Sequence, residues 1–204
     1  MSGKVVTIAQ QKGGSGKTTL AANLAIAYAQ MNFRVALLDT DPQGSLGRWA
    51  MTRFLALGTP DILFSTASAW GVSYEMTKLR TEADVILVDT PPKVDSDLRP
   101  ALREAELVLI PVATSQVDLW ATDSVLDLAA REKTKAMIVL NRARAGTRLA
   151  IQIAEQITMD RATTVLGNRV IYAETLGQGR AVTEASGTAA NEMRELAQEV
   201  LAQI

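Results

Sequence analysis

Apolar residues along this chain gather into short, nearly continuous runs, separated by longer stretches in which they recur every three or four positions. Runs of that kind mark strands covered on both faces, and helical spacing marks the layers that cover them. Strands are expected at Val5–Ala9, Val35–Leu38, Val85–Val88, Leu107–Val112 and Ala136–Leu140, with weaker candidates at Asp61–Phe64 and Thr164–Leu166. Helices are expected near Lys17–Gln30, Ser45–Ala56, Ser73–Arg80, Leu98–Glu104, Leu119–Arg131, Arg148–Thr158 and Ala189–Gln203. Strand and helix in alternation predict an α/β, doubly wound fold on a mainly parallel sheet. No repeat, low-complexity tract or long linker divides the chain, so residues 1–204 are expected to form one domain.

Composition narrows the chemistry more than the fold. With 48% hydrophobic and 21% charged residues, the chain is not of the disordered class. No apolar run approaches the roughly 18 residues of a membrane span, and residues 1–4 lead into the first strand without a secretory signal. A cytoplasmic protein with no membrane partner is expected. The chain has no cysteine and no histidine. Thiolate nucleophiles, Cys-bound clusters, the commonest zinc ligand and the usual general base are thereby excluded. Any chemistry must run on carboxylates, lysines, hydroxyls, backbone amides and a hard cation.

The stretch that fits this requirement is Gln10-Gln11-Lys12-Gly13-Gly14-Ser15-Gly16-Lys17-Thr18-Thr19, set between the first strand and the first helix. Strand, glycine-rich loop and helix in that order form a P-loop. Gly13, Gly14, Ser15 and Gly16 let backbone amides face a phosphate chain at the helix N-terminus. Lys17 is placed to reach the β- and γ-phosphates, the Thr18 hydroxyl to ligate Mg²⁺, and Thr19 continues the cradle. Two features depart from the general pattern: Gln11 stands where glycine is usual, and a second lysine, Lys12, precedes the glycines.

Further carboxylates follow two of the strands. Asp39 and Asp41 close Leu37-Leu38-Asp39-Thr40-Asp41-Pro42-Gln43, and Asp89 closes Val85-Ile86-Leu87-Val88-Asp89-Thr90-Pro91-Pro92. Ligands of open α/β sheets bind at this edge. An apolar strand ending in Asp, downstream of a P-loop, is the arrangement that holds Mg²⁺ through Asp89. Asn141 ends the sixth strand.

The K-G-G-x-G-K-T-[ST] loop, D-x-D-P-Q and the apolar strand ending in Asp89 resemble the ParA/MinD superfamily of deviant Walker A ATPases. The resemblance runs over nearly the whole chain and is nearest to the short ParF-type partition proteins. It implies ATP and Mg²⁺ as cofactors and weak hydrolysis of ATP to ADP and phosphate. Asp41 would position the attacking water, Asp39 would act close to metal and water, and Asn141 would contact adenine. Lys12 would cross to the phosphates bound by a second subunit, making an ATP-bound homodimer, with higher polymers open. The stretch Pro111-Val112-Ala113-Thr114-Ser115-Gln116-Val117-Asp118-Leu119-Trp120 resembles another family segment, in which Asp118 either caps the next helix or has a functional part.

The implied function is to partition or position a cargo, plasmid DNA or a protein assembly. It would proceed through non-specific DNA binding and hydrolysis stimulated by a ParB-like centromere-binding or cargo-adaptor protein. A nucleoid-associated location follows. With the first strand starting near residue 4, an N-terminal helix-turn-helix, and with it operator-specific repression, is not expected. Residues 131–169 carry eight basic and three acidic side chains, which supplies candidate phosphate contacts. Arg169 and Arg180 are the DNA-binding candidates, while Arg142 and Arg144 are set aside as neighbours of the adenine. Nitrogenase-reductase-like chemistry is excluded by the missing cysteines. Membrane docking by the last helix is disfavoured by Glu192, Glu195 and Glu199 on its polar face. The alternative of another class is a metabolic ATP-dependent ligase or kinase, of the dethiobiotin synthetase or cobyrinate amidase type.

Overall fold

The computed structural model describes residues 2–93, 98–144 and 146–204. Six strands, β1 (Lys4–Ile8), β2 (Val35–Asp39), β3 (Leu63–Thr66), β4 (Val85–Asp89), β5 (Leu107–Ala113) and β6 (Lys135–Asn141), form one sheet in the order β3-β2-β4-β1-β5-β6. Every pairing is parallel. β2 and β4, both buried end to end, show why these segments read as unbroken apolar runs.

Period-2 alternation distributes the strand residues between the two faces. Val6, Ile8, Leu37, Leu87, Leu109 and Val139 face a layer built from α1 (Lys17–Gln30), α2 (Ser45–Leu57), α8 (Ile171–Gly177) and α9 (Thr188–Leu201). Val5, Leu38, Ile86 and Val88 face α3 (Val72–Glu82), while Val108, Ile110 and Ile138 meet α4 (Arg99–Arg103) and α6 (Asp123–Arg131). α1 is sheathed on nearly all sides by the sheet, α2 and α9, so it is apolar nearly all round rather than striped. Its alanines allow close approach, and truncating fully buried Leu24 to Ala should cost about 2–5 kcal/mol. The helix stops where Asn32 turns left-handed at φ 66°, a conformation asparagine tolerates.

The strand order puts the crevice where the chain reverses direction across the sheet. From β1 the chain crosses to β2 on one side, and from β4 it crosses to β5 on the other. The carboxyl ends of β1 and β4 lie beside that reversal, the place where open α/β sheets bind ligands. Ile8, Asp89 and Asp39 occupy one rung there, because Ile8 is paired with Asp89 and Asp89 with Asp39.

Three expected elements are corrected, and one further helix is found. Thr164–Leu166 is not a strand. It runs irregularly beside β6, with Leu166 N–H donating to Leu140, while Glu199 of α9 accepts the N–H groups of Thr163 and Thr164 that a regular ladder would use. The helix expected over Leu119–Arg131 is two helices, α5 (Gln116–Trp120) and α6. The buried Thr122 hydroxyl donates to the Leu119 carbonyl at 2.6 Å and closes the first of them. The strand expected at Asp61–Phe64 is shifted to Leu63–Thr66, with Asp61 held outside it by Arg53 at 2.6 Å. The helix expected at Arg148–Thr158 is present as α7 (Arg148–Gln156), whereas α8 was not anticipated at all.

The tail helix α9 buries Met193, Leu196 and Val200 against the sheet layer, as a packed terminal helix should. Among the described residues no helix is long and apolar enough to cross a membrane.

Candidate functional site

The loop joining β1 to α1 turns on two left-handed glycines, Gly14 at φ 76° and Gly16 at φ 96°. Gly16 leaves no space for a side chain: a Cβ there would sit 2.4 Å from the amide nitrogen of Asn141. Gly16 also caps α1 without a side-chain acceptor, and the first turn contains no acidic residue. The N–H groups of that turn and the positive end of the helix dipole are therefore available to an anion. Gln11 is not among the left-handed residues, so this position needs no glycine, and its side chain instead accepts a hydrogen bond from Ser124 of α6 at 2.9 Å.

Lys17 is buried, and its ammonium donates to the Gln10 carbonyl at 3.2 Å, folding the side chain back over its own loop. Burial lowers its pKa, and the charges of Asp89 and Asp41 oppose that shift. Beneath it the Thr18 hydroxyl donates to Asp89 Oδ2 at 2.6 Å. Burial pushes the Asp89 carboxyl up to about 7 against the Thr18 hydrogen bond, with Asp39 adding to the rise and Lys17 opposing it. Asp89 Oδ1 and the Ser15 hydroxyl are buried polar atoms with no partner among the described residues.

These features fit a hard cation and a phosphate chain. An orphaned carboxylate oxygen beside a threonine hydroxyl is an oxygen donor set of the type Mg²⁺ takes. No group of three acidic side chains among the described residues forms a cage of its own. A cation at Thr18 and Asp89 would complete its shell from phosphate and water, as Mg²⁺ does in nucleotide sites.

Asp39 and Asp41 are not equivalent. Asp39 is buried and accepts N–H groups from Asp41 at 3.0 Å and Gly47 at 3.1 Å, which braces the Asp41 loop against the start of α2. Burial holds its pKa above the usual carboxylate range, against those hydrogen bonds. Asp41 lies higher, in the wall of the main cavity, and accepts the Gln43 N–H at 2.9 Å. That cavity, about 680 Å³, is lined by Gly13, Gly14, Gly16, Lys17, Thr18 and Thr19 on one side. Asp41, Gln43, Arg48 and Trp49 line another side, and Ala173, Leu176 and Gly177 of α8 a third. Its volume is of the order that holds a small-molecule cofactor.

Lys12 does not line this cavity. Its ammonium is paired with Asp118 Oδ2 at 2.8 Å, the lysine side chain 43% exposed and the aspartate 6%. Asp118 is not the cap of α5. Ser115 is, its hydroxyl accepting the Asp118 N–H at 3.2 Å while donating to the Asp118 carboxylate.

The Asn141 amide donates to the Ser15 carbonyl at 2.8 Å, and its oxygen accepts the Arg142 N–H at 2.9 Å. The residue thus splints the phosphate loop to the end of β6 and, though itself buried, lines a second cavity of about 470 Å³ with Asn168, Arg169 and Tyr172. Gly16, Thr19, Arg142, Ala173 and Leu176 line both cavities, which makes the second one a continuation of the first. The two DNA candidates are separated and differently engaged. Arg169 is paired with Glu192 at 2.6 Å, whereas the Arg180 side chain is exposed and, among the described residues, donates only to the Glu184 carbonyl at 3.1 Å.

Sequence reasoning missed Arg48, Trp49 and the whole α8 wall. Gln43 closes the D-x-D-P-Q stretch and Arg48 follows it closely enough to be suspected. α8, seven residues without an amphipathic period to display, gave no signal.

Comparison with known proteins identifies the family. The family model for the CobQ/CobB/MinD/ParA nucleotide binding domain matches residues 6–182. The maintenance of carboxysome distribution protein A of Halothiobacillus neapolitanus is 31% identical over 211 positions, spanning 96% of this chain and 95% of that protein. The chromosome-partitioning ATPase Soj of Thermus thermophilus is 30% identical over 241 positions, spanning 98% and 96%. The cell division ATPase MinD of Pyrococcus furiosus superposes with a TM-score of 0.84 at 19% identity, over 99% of this chain and all of that one, and so shares the fold. The chain belongs to the CobQ/CobB/MinD/ParA nucleotide-binding family, as a ParA/MinD-type ATPase.

Proposed function

We propose that this protein is an ATP-gated positioning switch. ATP and Mg²⁺ close two copies into a dimer, the dimer holds non-specific DNA in the nucleoid, and hydrolysis stimulated by an adaptor of the ParB type releases it. The observation that supports this most directly is the division of the loop's lysines. Lys17 lies in the cavity wall, and Lys12 stands outside it on an exposed face, held by Asp118 at 2.8 Å. A cation on the outer face of a phosphate loop is of use to a nucleotide held by another subunit.

When bound, Mg²⁺–ATP supplies the anhydride bond whose hydrolysis to ADP and phosphate resets the switch. The chain's own residues supply the rest. Lys17 and the N-terminus of α1 neutralise the phosphates, and Thr18 and Asp89 offer hard oxygens to the cation. Asp41, in the cavity wall, orients the attacking water, and Asp39 keeps Asp41 in place through its N–H. Asn141 fixes the loop from β6 and presents the edge of its amide to the base. The cargo, plasmid or protein assembly, is a matter for the adaptor.

Sizing chromatography with ATP and Mg²⁺ tests the switch, using wild type and Asp41→Ala, the latter expected to accumulate as a dimer that retains duplex DNA. A variant that stays monomeric, or turnover that responds to a small molecule and not to DNA, would replace this reading with that of a metabolic ligase or kinase.

A further inference from the structure

Arg48 stands in the first turn of α2, one turn beyond the D-x-D-P-Q loop, and it lines the main cavity together with Lys17, Thr18 and Asp41. Its guanidinium donates one hydrogen bond, from Nη2 to the Gln43 carbonyl at 2.8 Å. Among the described residues no carboxylate lies within ion-pair distance of it. Arg53, one turn further along the same helix, shows the contrast. It is buried, holds both Asp61 and Glu184, and has no charge to spare. A guanidinium carries five N–H donors in a fixed fork suited to phosphate oxygens. Arg48 therefore combines a positive charge with no carboxylate partner among the described residues, donors to spare, a place in the cavity wall and a grip on the loop that carries Asp41.

We propose that Arg48 is a positioning residue for ATP hydrolysis, contacting the nucleotide's phosphate chain while its grip on the Gln43 carbonyl sets the Asp41 loop to the occupied cavity. The contact and the grip lie on one side chain, so phosphate occupancy is transmitted to the water-orienting aspartate without movement of the helix. Arg48 of α2 and Lys17 of α1 both line the cavity, so two elements offer a cation to the phosphates. The residue is far from obligatory for the fold: its side chain is exposed and its only described hydrogen bond is to its own loop.

This inference rests on the nucleotide reading of the cavity, and the test separates the two. ATP, ADP and adenosine are titrated into wild type, Arg48→Met and Arg48→Lys, and steady-state hydrolysis is followed in parallel. Loss of a charge-assisted contact worth about 1.5–3 kcal/mol predicts that Arg48→Met weakens ATP affinity about tenfold or more, leaving adenosine affinity unchanged. Arg48→Lys should recover ATP affinity at low salt. It should not recover kcat, because a point charge cannot hold phosphate and the Gln43 carbonyl together. Wild type that fails to bind ATP removes the nucleotide reading itself. Wild type that binds, beside an Arg48→Met variant of unchanged ATP affinity, removes only the role of Arg48. Equal weakening of ATP and adenosine, or recovery of kcat by lysine, also overturns it.

Discussion

The inner and outer ends of one loop place two lysines in opposite surroundings. At the inner end Lys17 is buried beside Asp89 and Asp41, with its pKa lowered by desolvation. At the outer end Lys12 keeps 43% of its side chain exposed and is held by one carboxylate. Charge removed from water interacts strongly with whatever enters its site, whereas a lysine left half in water is partly screened and more easily exchanged. The inner lysine is thus suited to binding and the outer one to association, and substitutions that separate the two functions test the comparison.

The largest effect is expected at the inner end. Lys17→Ala should weaken ATP binding about a hundredfold or more, since the phosphates lose their buried cation. Calorimetric titration reads this directly, and retained affinity would mean that the helix N-terminus alone binds the phosphates. Next comes Lys12→Ala. It should bind ATP within about threefold of wild type, a shift below 1 kcal/mol, yet stay monomeric when ATP and Mg²⁺ are added. Sedimentation of Lys12→Ala mixed with wild type should show dimers impaired at one of two sites. A Lys12→Ala protein that dimerises and hydrolyses normally would leave the outer lysine without a role.

The inner end was legible in the sequence because its chemistry is local. A loop that must present amides needs glycines in order, and a lysine and threonine at a helix start have one arrangement relative to them. The carboxylates Asp39, Asp41 and Asp89 were legible for a similar reason, each standing at or just beyond the end of a buried strand. What could not be read depends on contacts between residues distant in sequence. Asp118 partners Lys12 across 106 positions, and Asn141 reaches Ser15 across 126. The Thr164 segment reads as a strand until Glu199, on another element, takes its N–H groups. Buried Arg53 reads as a surface residue of α2 until Asp61 and Glu184 converge on it. Periodicity carries no information about such partners.

A smaller effect tests how firmly the outer lysine is held. Asp118→Asn keeps a side chain that can bond to Ser115 and removes the charge opposite Lys12. An ion pair of this exposure is worth about 0.2–1 kcal/mol. Each dimer releases two such lysines, so the protein concentration needed for half-dimerisation in ATP should fall by about twofold to thirtyfold. Half-dimerisation at an unchanged or higher concentration would show that Asp118 does not restrain it.

The smallest effect concerns two arginines that the sequence put on an equal footing. Each phosphate contact contributes roughly one unit to the slope of log affinity against log salt. Arg180, exposed and without a carboxylate partner among the described residues, should lose about that much on Arg180→Ala. Arg169 already faces Glu192 at 2.6 Å, which also accepts the Gly167 N–H at 3.0 Å and so stays in place. Its charge is partly compensated before any DNA arrives, and Arg169→Ala should change the slope by less than half as much. Glu192→Gln should then strengthen DNA binding by releasing Arg169, and that gain should vanish in Glu192→Gln combined with Arg169→Ala. Filter binding of ATP-bound protein to two unrelated duplexes across a salt series measures the four variants beside wild type. Equal losses for the two arginines, or no gain from Glu192→Gln, would show that the Glu192 pair does not hold Arg169 back from DNA.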